Sequence, residues 1–211
     1  MSELTNAVRI ATGVAAACTL VSCAAAPPPA PGYREPPPDP CALVRPETAV
    51  RLVGSTEPQR SGYQPPDRDA GSGIGSQACE WRNIGFAAAP EWGRTASVVL
   101  RVDVALNLRQ DGSPDAGLAK TGTDLQFRDK RMQAPPPGLG LGDQSGQLYH
   151  ERLGLQRAVF YFREANAEIT ISYQGMGSHD DGSDVRRPPE ELERTAHDVA
   201  AEALQRLGPP R

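Results

Sequence analysis

Residues 98–106 constrain the fold of this chain most strongly, because every second residue in them is a branched aliphatic one. Arg101 and Asp103 fall on the opposite face of the segment. A period of two is typical of a β-strand with one face in the core. We therefore expect the chain to fold around a β-sheet. The aliphatic face consists of Val98, Leu100, Val102, Val104 and Leu106.

The other segments combine helices with strands. Pro46 opens a short helix with an apolar face that ends at Gly54, and residues 189–207 repeat apolar side chains at helical spacing. With 21 glycines and 21 prolines in 211 residues, a helical bundle is excluded. We predict an α+β fold, a twisted antiparallel β-sheet flanked by an N-terminal short helix and a C-terminal amphipathic helix. Between them we expect a long loop at 55–77, a weak helix at 114–127, and strands at 78–84, 146–153, 156–163 and 168–173.

Several connecting segments are expected to be irregular. The glycine-rich residues 71–76 lack the lysine and the spacing of a phosphate-binding loop, so we expect a flexible loop there. Residues 175–187 are polar and acidic and are expected to be mobile. In the short turn at 164–167, Asn166 is the residue expected to take a positive φ.

The N-terminus indicates export. Residues 10–21 form an apolar stretch of 12 after Arg9, too short to span a bilayer but typical of a secretory signal. The sequence Leu20-Val21-Ser22-Cys23 that follows resembles the lipobox of bacterial lipoproteins. We therefore expect residues 1–22 to be a lipoprotein signal peptide and Cys23 to carry the lipid. The protein is then expected on the extracytoplasmic face of the cell membrane. The alternative is an ordinary secretory signal in which Cys23 is incidental.

The cysteines are consistent with this interpretation. Cys18 leaves with the signal and Cys23 is acylated, so Cys41 and Cys79 remain. An even number of cysteines in an exported protein predicts one disulfide. The competing interpretation is a metal site, but neither cysteine has a further Cys or His at ligand spacing.

The sequence also predicts the domain organisation. Residues 23–39 are rich in proline and are expected to form an extended tether of up to roughly 50 Å. Residues 40–208 are expected to form one domain. Trp81 lies two positions after Cys79, on the same face of a strand, so we expect it in the structural core.

We find no pattern of catalytic or metal-binding residues in the sequence. His150, His179 and His197 lack partners at zinc-ligand spacing, and Ser178-His179-Asp180 are adjacent residues, which cannot align as a triad. The chain has a net charge of −4 and no basic block, which argues against a nucleic-acid partner. We therefore expect no catalytic residues, no cofactor and no metal.

Five features appear in one order along the chain: the lipobox Leu20-Val21-Ser22-Cys23, Asp39-Pro40-Cys41-Ala42-Leu43, Cys79-Glu80-Trp81, the turn Gly140-Leu141-Gly142-Asp143, and the C-terminal helix. Together they resemble a family of actinobacterial cell-envelope lipoproteins of uncharacterised function. That family is similar in pattern to the extracellular sensor domains of actinobacterial serine/threonine kinases, whose fold is a twisted antiparallel sheet with helices beside a cleft. The resemblance covers nearly all of residues 39–207 and assigns no functional residue.

The sequence thus favours a membrane-anchored, non-enzymatic module that binds a small molecule, a lipid or an envelope protein. The alternative is a secreted envelope hydrolase whose acid and base residues are carboxylates scattered along the chain. A cleft with two or three convergent Asp, Glu or His residues of perturbed pKa favours the hydrolase. An apolar cleft without such residues favours the binding module.

Overall fold

The computed structural model describes residues 31–67, 73–86, 90–93 and 95–210. It is an α+β fold with one antiparallel sheet of six strands in the order β1-β2-β3-β6-β5-β4, as the sequence predicts. The helices are α1 (Pro46–Val53), α2 (Ala116–Lys130) and α3 (Pro189–Leu207). The strands are β1 (Pro58–Arg60), β2 (Ile74–Phe86), β3 (Thr95–Asn107), β4 (Gln144–Arg152), β5 (Leu155–Glu164) and β6 (Ala167–Ser178).

One face of the sheet forms the core. The five aliphatic side chains of β3 that were predicted to share a face are completely buried. α1 packs against β2 and β3, and α3 packs against β5 and β6. Each large aliphatic side chain buried in this way stabilises the fold by about 1.5–3 kcal/mol. The buried stripe of α3 repeats at three- and four-residue steps and includes Leu192, Ala196, Val199, Ala200, Ala203 and Leu207.

A disulfide fastens the chain before α1 to the sheet. The short 3-10 helix Pro40–Leu43 brings Cys41 to Cys79 of β2, and their Cα atoms are 5.2 Å apart. The predicted disulfide is thereby confirmed. Trp81 is 2% exposed and belongs to the same buried cluster as the two cysteines.

Glu202 of α3 caps the N-terminus of α1. The N-cap position of α1, Arg45, provides no side-chain hydrogen bond of its own. Glu202 instead accepts hydrogen bonds from the Arg45 backbone N–H, at 2.5 Å, and from the Thr48 hydroxyl, at 2.7 Å. Burial raises the pKa of Glu202, but these hydrogen bonds outweigh it and hold the pKa below its usual value. A residue 157 positions away thus satisfies the Arg45 N–H, one of the free backbone donors at the start of α1.

The predicted long loop at 55–77 contains two strand segments, β1 and the beginning of β2. β1 pairs with residues 79–81 of β2. The glycine-rich residues were expected to be flexible, but 74–76 belong to β2, and glycine permits close approaches to neighbouring groups there. A Cβ atom on Gly73 would lie 1.9 Å from the Leu108 carbonyl oxygen, and one on Gly75 would lie 2.5 Å from the Tyr63 hydroxyl.

Asn166 has a different role from the one predicted. Ala165, with φ of 52°, is the residue of positive φ in the turn between β5 and β6. Asn166 is completely buried, and its side chain exchanges two hydrogen bonds with the backbone of Tyr33. It also donates to the Asn107 carbonyl at 3.0 Å. These contacts explain why asparagine occupies a buried turn position.

The predicted tether lies partly against the domain. Tyr33 is 7% exposed, and its hydroxyl donates to the Gly208 carbonyl at 2.7 Å. Gln77 of β2 donates to the carbonyl of Pro38, also at 2.7 Å. The described part of this segment, residues 31–39, is therefore held against the domain by the Tyr33 side chain and by hydrogen bonds to its backbone. Residues 1–30, with the predicted signal peptide, Cys18 and Cys23, lie outside the described residues.

The predicted mobile segment at 175–187 begins as the last part of β6, which extends to Ser178. Its backbone then turns back, and the Val185 N–H donates to the Gly177 carbonyl at 2.9 Å. Val185 is 7% exposed, so this end of the segment also contacts the core.

Replacing Trp81 by Ala should destabilise the domain strongly, because it removes a large side chain from a packed interior. We expect a cost of about 3–5 kcal/mol and a melting temperature lower by at least ~6 °C. Leu153→Ala is the control, since Leu153 is 90% exposed, and it should change melting by less than ~2 °C. Thermal unfolding of both variants with the disulfide intact makes the comparison. A loss of less than ~2 °C for Trp81→Ala would contradict its core role.

Candidate binding site

The second face of the sheet is polar. On β2 and β3 it carries Arg82 paired with Glu80, and Arg101 paired with Asp103, each at 2.6 Å between nitrogen and oxygen. These pairs are partly exposed and contribute little to stability, about 0–1 kcal/mol each. α2 covers only part of this face and packs against β3, β5 and β6. A helix lying on a partly open sheet creates a groove beside it.

α2 contacts the sheet through few apolar side chains. Its buried residues are Ala119 and Thr123. Phe127 packs edge-on against Tyr161 of β5, with 5.5 Å between ring centroids. The same ring sits over Gly146 of β4, where a Cβ atom would lie 2.9 Å from it. Glycine at this position is therefore what allows the helix to approach β4.

A buried polar cluster supplies the remaining contacts between α2 and the sheet. Its centre is Glu168 of β6, which is 8% exposed. The carboxylate accepts a hydrogen bond from Asn107 at 3.1 Å and one from Gln126 of α2 at 3.2 Å. The Tyr161 hydroxyl lies 2.8 Å from Thr123 Oγ1, which joins β5 to the helix. We call Glu168, Asn107, Gln126, Tyr161 and Thr123 the α2 polar cluster.

Burial shifts the titration of this cluster. It raises the pKa of Glu168 above the usual range, and the neighbouring Tyr161 hydroxyl and Asn107 amide offset this only in part. Burial likewise raises the pKa of Tyr161, and the charge of Glu168 adds to the effect. The fold therefore favours the protonated, neutral forms of both groups.

A cavity of about 140 Å³ lies next to this cluster, between the C-terminal end of α2 and strands β4, β5 and β6. We call it the α2 pocket. Gln126 and Tyr161 belong to both the cluster and the pocket wall. Its apolar lining comes from Met132, Leu148 and Val159, and its basic lining from Lys130, His150 and Arg157.

Two of the basic side chains are held by neutral partners. Arg157 Nε donates to Ser172 Oγ at 2.9 Å, and Lys130 Nζ donates to Gln126 Oε1 at 3.2 Å. Among the described residues, no carboxylate lies within 4.0 Å of either charge, and none lines the pocket. Many arginines elsewhere are neutralised, as Arg163 is by Asp143 at 2.8 Å, whereas here two cations without such a partner line one cavity. The α2 pocket is therefore a local concentration of positive charge in an acidic chain.

Another cavity, of about 150 Å³, has carboxylates in its lining and is called here the α3 cavity. Glu190, Glu193, Arg194 and His197 of α3 line it. Burial raises the pKa of Glu193, and the charge of Glu190 raises it further. The His197 ring packs edge-on against Phe160 at 5.2 Å, and its Nε2 atom is buried without a hydrogen-bond partner among the described residues.

The residues singled out in the sequence are distributed as follows. Cys41, Cys79 and Trp81 lie in the core and line neither of the two cavities described above. The turn that ends at Asp143 is structural, because Asp143 accepts hydrogen bonds from the Arg163 guanidinium and the Ala165 backbone N–H. His150 lines the α2 pocket, His197 lines the α3 cavity, and His179 lies in an exposed turn.

Sequence reasoning missed the combination of Lys130, His150 and Arg157. Arg157 and Arg163 stand on the same face of β5, on either side of the apolar and aromatic residues 158–162, and this pattern is the signal that the strand has a second, polar face. The pairing of β4 with β5, which brings His150 opposite Arg157, has no such signal.

Within the described ranges, no group of three potential metal ligands comes together, and none of the helices there has the length and apolarity needed to cross a membrane. Comparison of the chain with protein-family models, with curated proteins and with solved structures gives no match.

Replacing Glu168 by Gln should change how stability depends on pH. A raised folded-state pKa means that the stabilisation by protonated Glu168 is complete below the unfolded pKa of about 4.3 and is lost as pH rises through the folded value. Glu168→Gln keeps a neutral side chain of the same shape, so the variant should gain stability relative to the natural protein between pH 4 and pH 7.5.

Urea unfolding of both proteins across that range measures the difference. Asp124→Asn is the control, because Asp124 is an exposed carboxylate whose pKa is lowered by its hydrogen bond with Lys120. Replacing it should make the variant less stable than the natural protein as pH rises, which is the opposite of the change expected for Glu168→Gln. A stability difference between the Glu168→Gln variant and the natural protein that stays constant with pH would contradict the prediction.

Proposed function

We propose that this protein is a membrane-anchored extracytoplasmic lipoprotein that acts as a non-enzymatic binding module, with the α2 pocket as its ligand site. The single observation that carries the proposal is the composition of the pocket. It combines apolar side chains with basic groups that have no carboxylate partner among the described residues. Such a concave, mostly apolar site with a few oriented polar groups is typical of ligand binding.

The proposed membrane location is supported by the N-terminal sequence and by the position of Tyr33. With Cys23 as the lipidated residue, nine residues separate it from Tyr33, and a chain of that length can reach at most roughly 35 Å. Tyr33 lies beside Gly208 and the turn between β5 and β6. Arg157 is near the other end of β5, seven residues from that turn. The pocket therefore lies roughly 20 Å along β5 from the point where the N-terminal segment meets the domain.

Replacing Cys23 by Ala should abolish lipidation, because it removes the thiol that accepts the diacylglyceryl group. We expect the variant to lose incorporated palmitate label and to leave the membrane fraction. Cys18→Ala is the matched control, since it also removes a thiol from the N-terminal region, and it should keep both label and location. Retention of the label by Cys23→Ala would refute the proposed anchor.

Filling the α2 pocket should abolish ligand binding without unfolding the domain. Val159 is half-buried in the pocket wall, so Val159→Trp would occupy the cavity. The matched control is Val99→Trp, which adds the same bulk on the same face of the sheet, on β3 outside the pocket.

The probes for this test are the small neutral molecules 1-hexanol and benzyl alcohol, and binding is followed by saturation-transfer NMR. We expect signals with the natural protein and with Val99→Trp, and a loss of signal with Val159→Trp at an unchanged fold. Equal signals from all three proteins would place binding outside the pocket.

The α3 cavity supports a second candidate, a secreted envelope hydrolase with carboxylate acid and base residues. The specific observation is that Glu190, Glu193 and His197 line one cavity and that the pKa of Glu193 is raised. A carboxylic acid kept protonated beside a second carboxylate is one arrangement used for general acid catalysis. Binding of a substrate-like ligand at the α3 cavity instead of the α2 pocket would favour this candidate.

A further inference from the structure

We infer that the ligand of the α2 pocket is a small amphiphilic anion, an acidic head joined to an apolar tail of about six carbons. This inference rests on the proposed function and adds the chemical class of the ligand. It follows from three properties of the pocket: its size, its combination of apolar and basic linings, and the way its charges are oriented.

The size of the pocket limits the tail. The cavity measures about 140 Å³. An apolar cavity of about 150 Å³ holds one benzene molecule, so the α2 pocket accommodates roughly six carbon atoms. Met132, Leu148 and Val159 provide the apolar surface for them. A long acyl chain does not fit within this volume.

The basic lining determines the head. Arg157 is oriented by the hydrogen bond from its Nε to Ser172, which leaves its two terminal nitrogens without a hydrogen-bond partner among the described residues. Lys130 is oriented in the same way by Gln126. Hydrogen bonds from such charged donors to an anionic oxygen are stronger than neutral ones, and orientation before binding reduces the entropy lost. His150 stands opposite Arg157 in the pairing of β4 with β5 and adds a third nitrogen-bearing group.

The pocket also disfavours other ligand classes. A cationic ligand would meet two positive charges with no carboxylate among the described lining residues to balance them. A neutral ligand of the same size would gain the apolar contacts only. A small anion without a tail would leave the apolar lining hydrated. Both parts of the ligand are therefore needed for full affinity. The anionic head can be a carboxylate or a phosphate, and the experiment separates these two sources.

The experiment is calorimetric titration of the full chain carrying Cys23→Ala, which avoids detergent. Four probes are compared at low salt: hexanoate, hexyl phosphate, 1-hexanol and inorganic phosphate. We expect hexanoate or hexyl phosphate to bind at least roughly ten-fold more tightly than 1-hexanol and than inorganic phosphate. The anion with the higher affinity identifies the head group. Added salt should reduce this advantage.

Two variants test the assignment of residues. Arg157→Gln should weaken binding of the better anion by roughly ten-fold or more and leave 1-hexanol unchanged. Arg128→Gln is the control, because it removes the same charge from a side chain of α2 that is 74% exposed and does not line the pocket. It should leave all affinities unchanged.

The possible failures can be told apart. If 1-hexanol binds and neither anion binds more tightly, the inference about the ligand is overturned and the proposed binding site stands. If inorganic phosphate binds as tightly as the better anion, the tail is not required and the inference is also overturned. If none of the four probes binds, both the inference and the proposed α2 pocket site fail.

Discussion

The burial of one face of the sheet under α1 and α3 determines how the rest of the molecule is built. The five aliphatic side chains of β3 are buried on that face, which α1 and α3 cover. α2 packs on the opposite, polar face, and its buried residues are Ala119 and Thr123. A helix held by so few apolar contacts does not seal the sheet, and the α2 pocket is the space that remains beside it.

Hydrogen bonds join this pocket to the point where the N-terminal segment meets the domain. Lys130 donates to Gln126, Gln126 donates to Glu168, and Glu168 accepts from Asn107. The Asn107 carbonyl then accepts from Asn166, whose amide is also bonded to the backbone of the segment at residue 33. The Lys130–Gln126 contact is exposed, but every later link is buried or partly buried, so loss of one partner there leaves another unsatisfied. These side chains thus form one network from the pocket to the N-terminal segment.

The sequence predicted those parts of the fold whose signal is a local period. Residues 189–207 form a helix with the expected apolar stripe, and β3 has the expected buried face, because each pattern needs only neighbouring residues to be read. The strand at Ile74 was missed because glycine there serves a close approach to Leu108, a contact that arises only in the fold. The role of Asn166 was wrong for the same reason. The basic residues of the pocket come from α2, β4 and β5, and no spacing in the chain relates them.

The most direct test of the α2 pocket as the ligand site is a map of amide chemical shifts, from two-dimensional ¹H–¹⁵N NMR spectra recorded with and without saturating hexanoate. Our account predicts that the perturbed amides cluster at residues 130–132, 148–150 and 157–161, around the pocket. Perturbation centred on residues 190–197 of α3, or spread evenly over the surface, would contradict it.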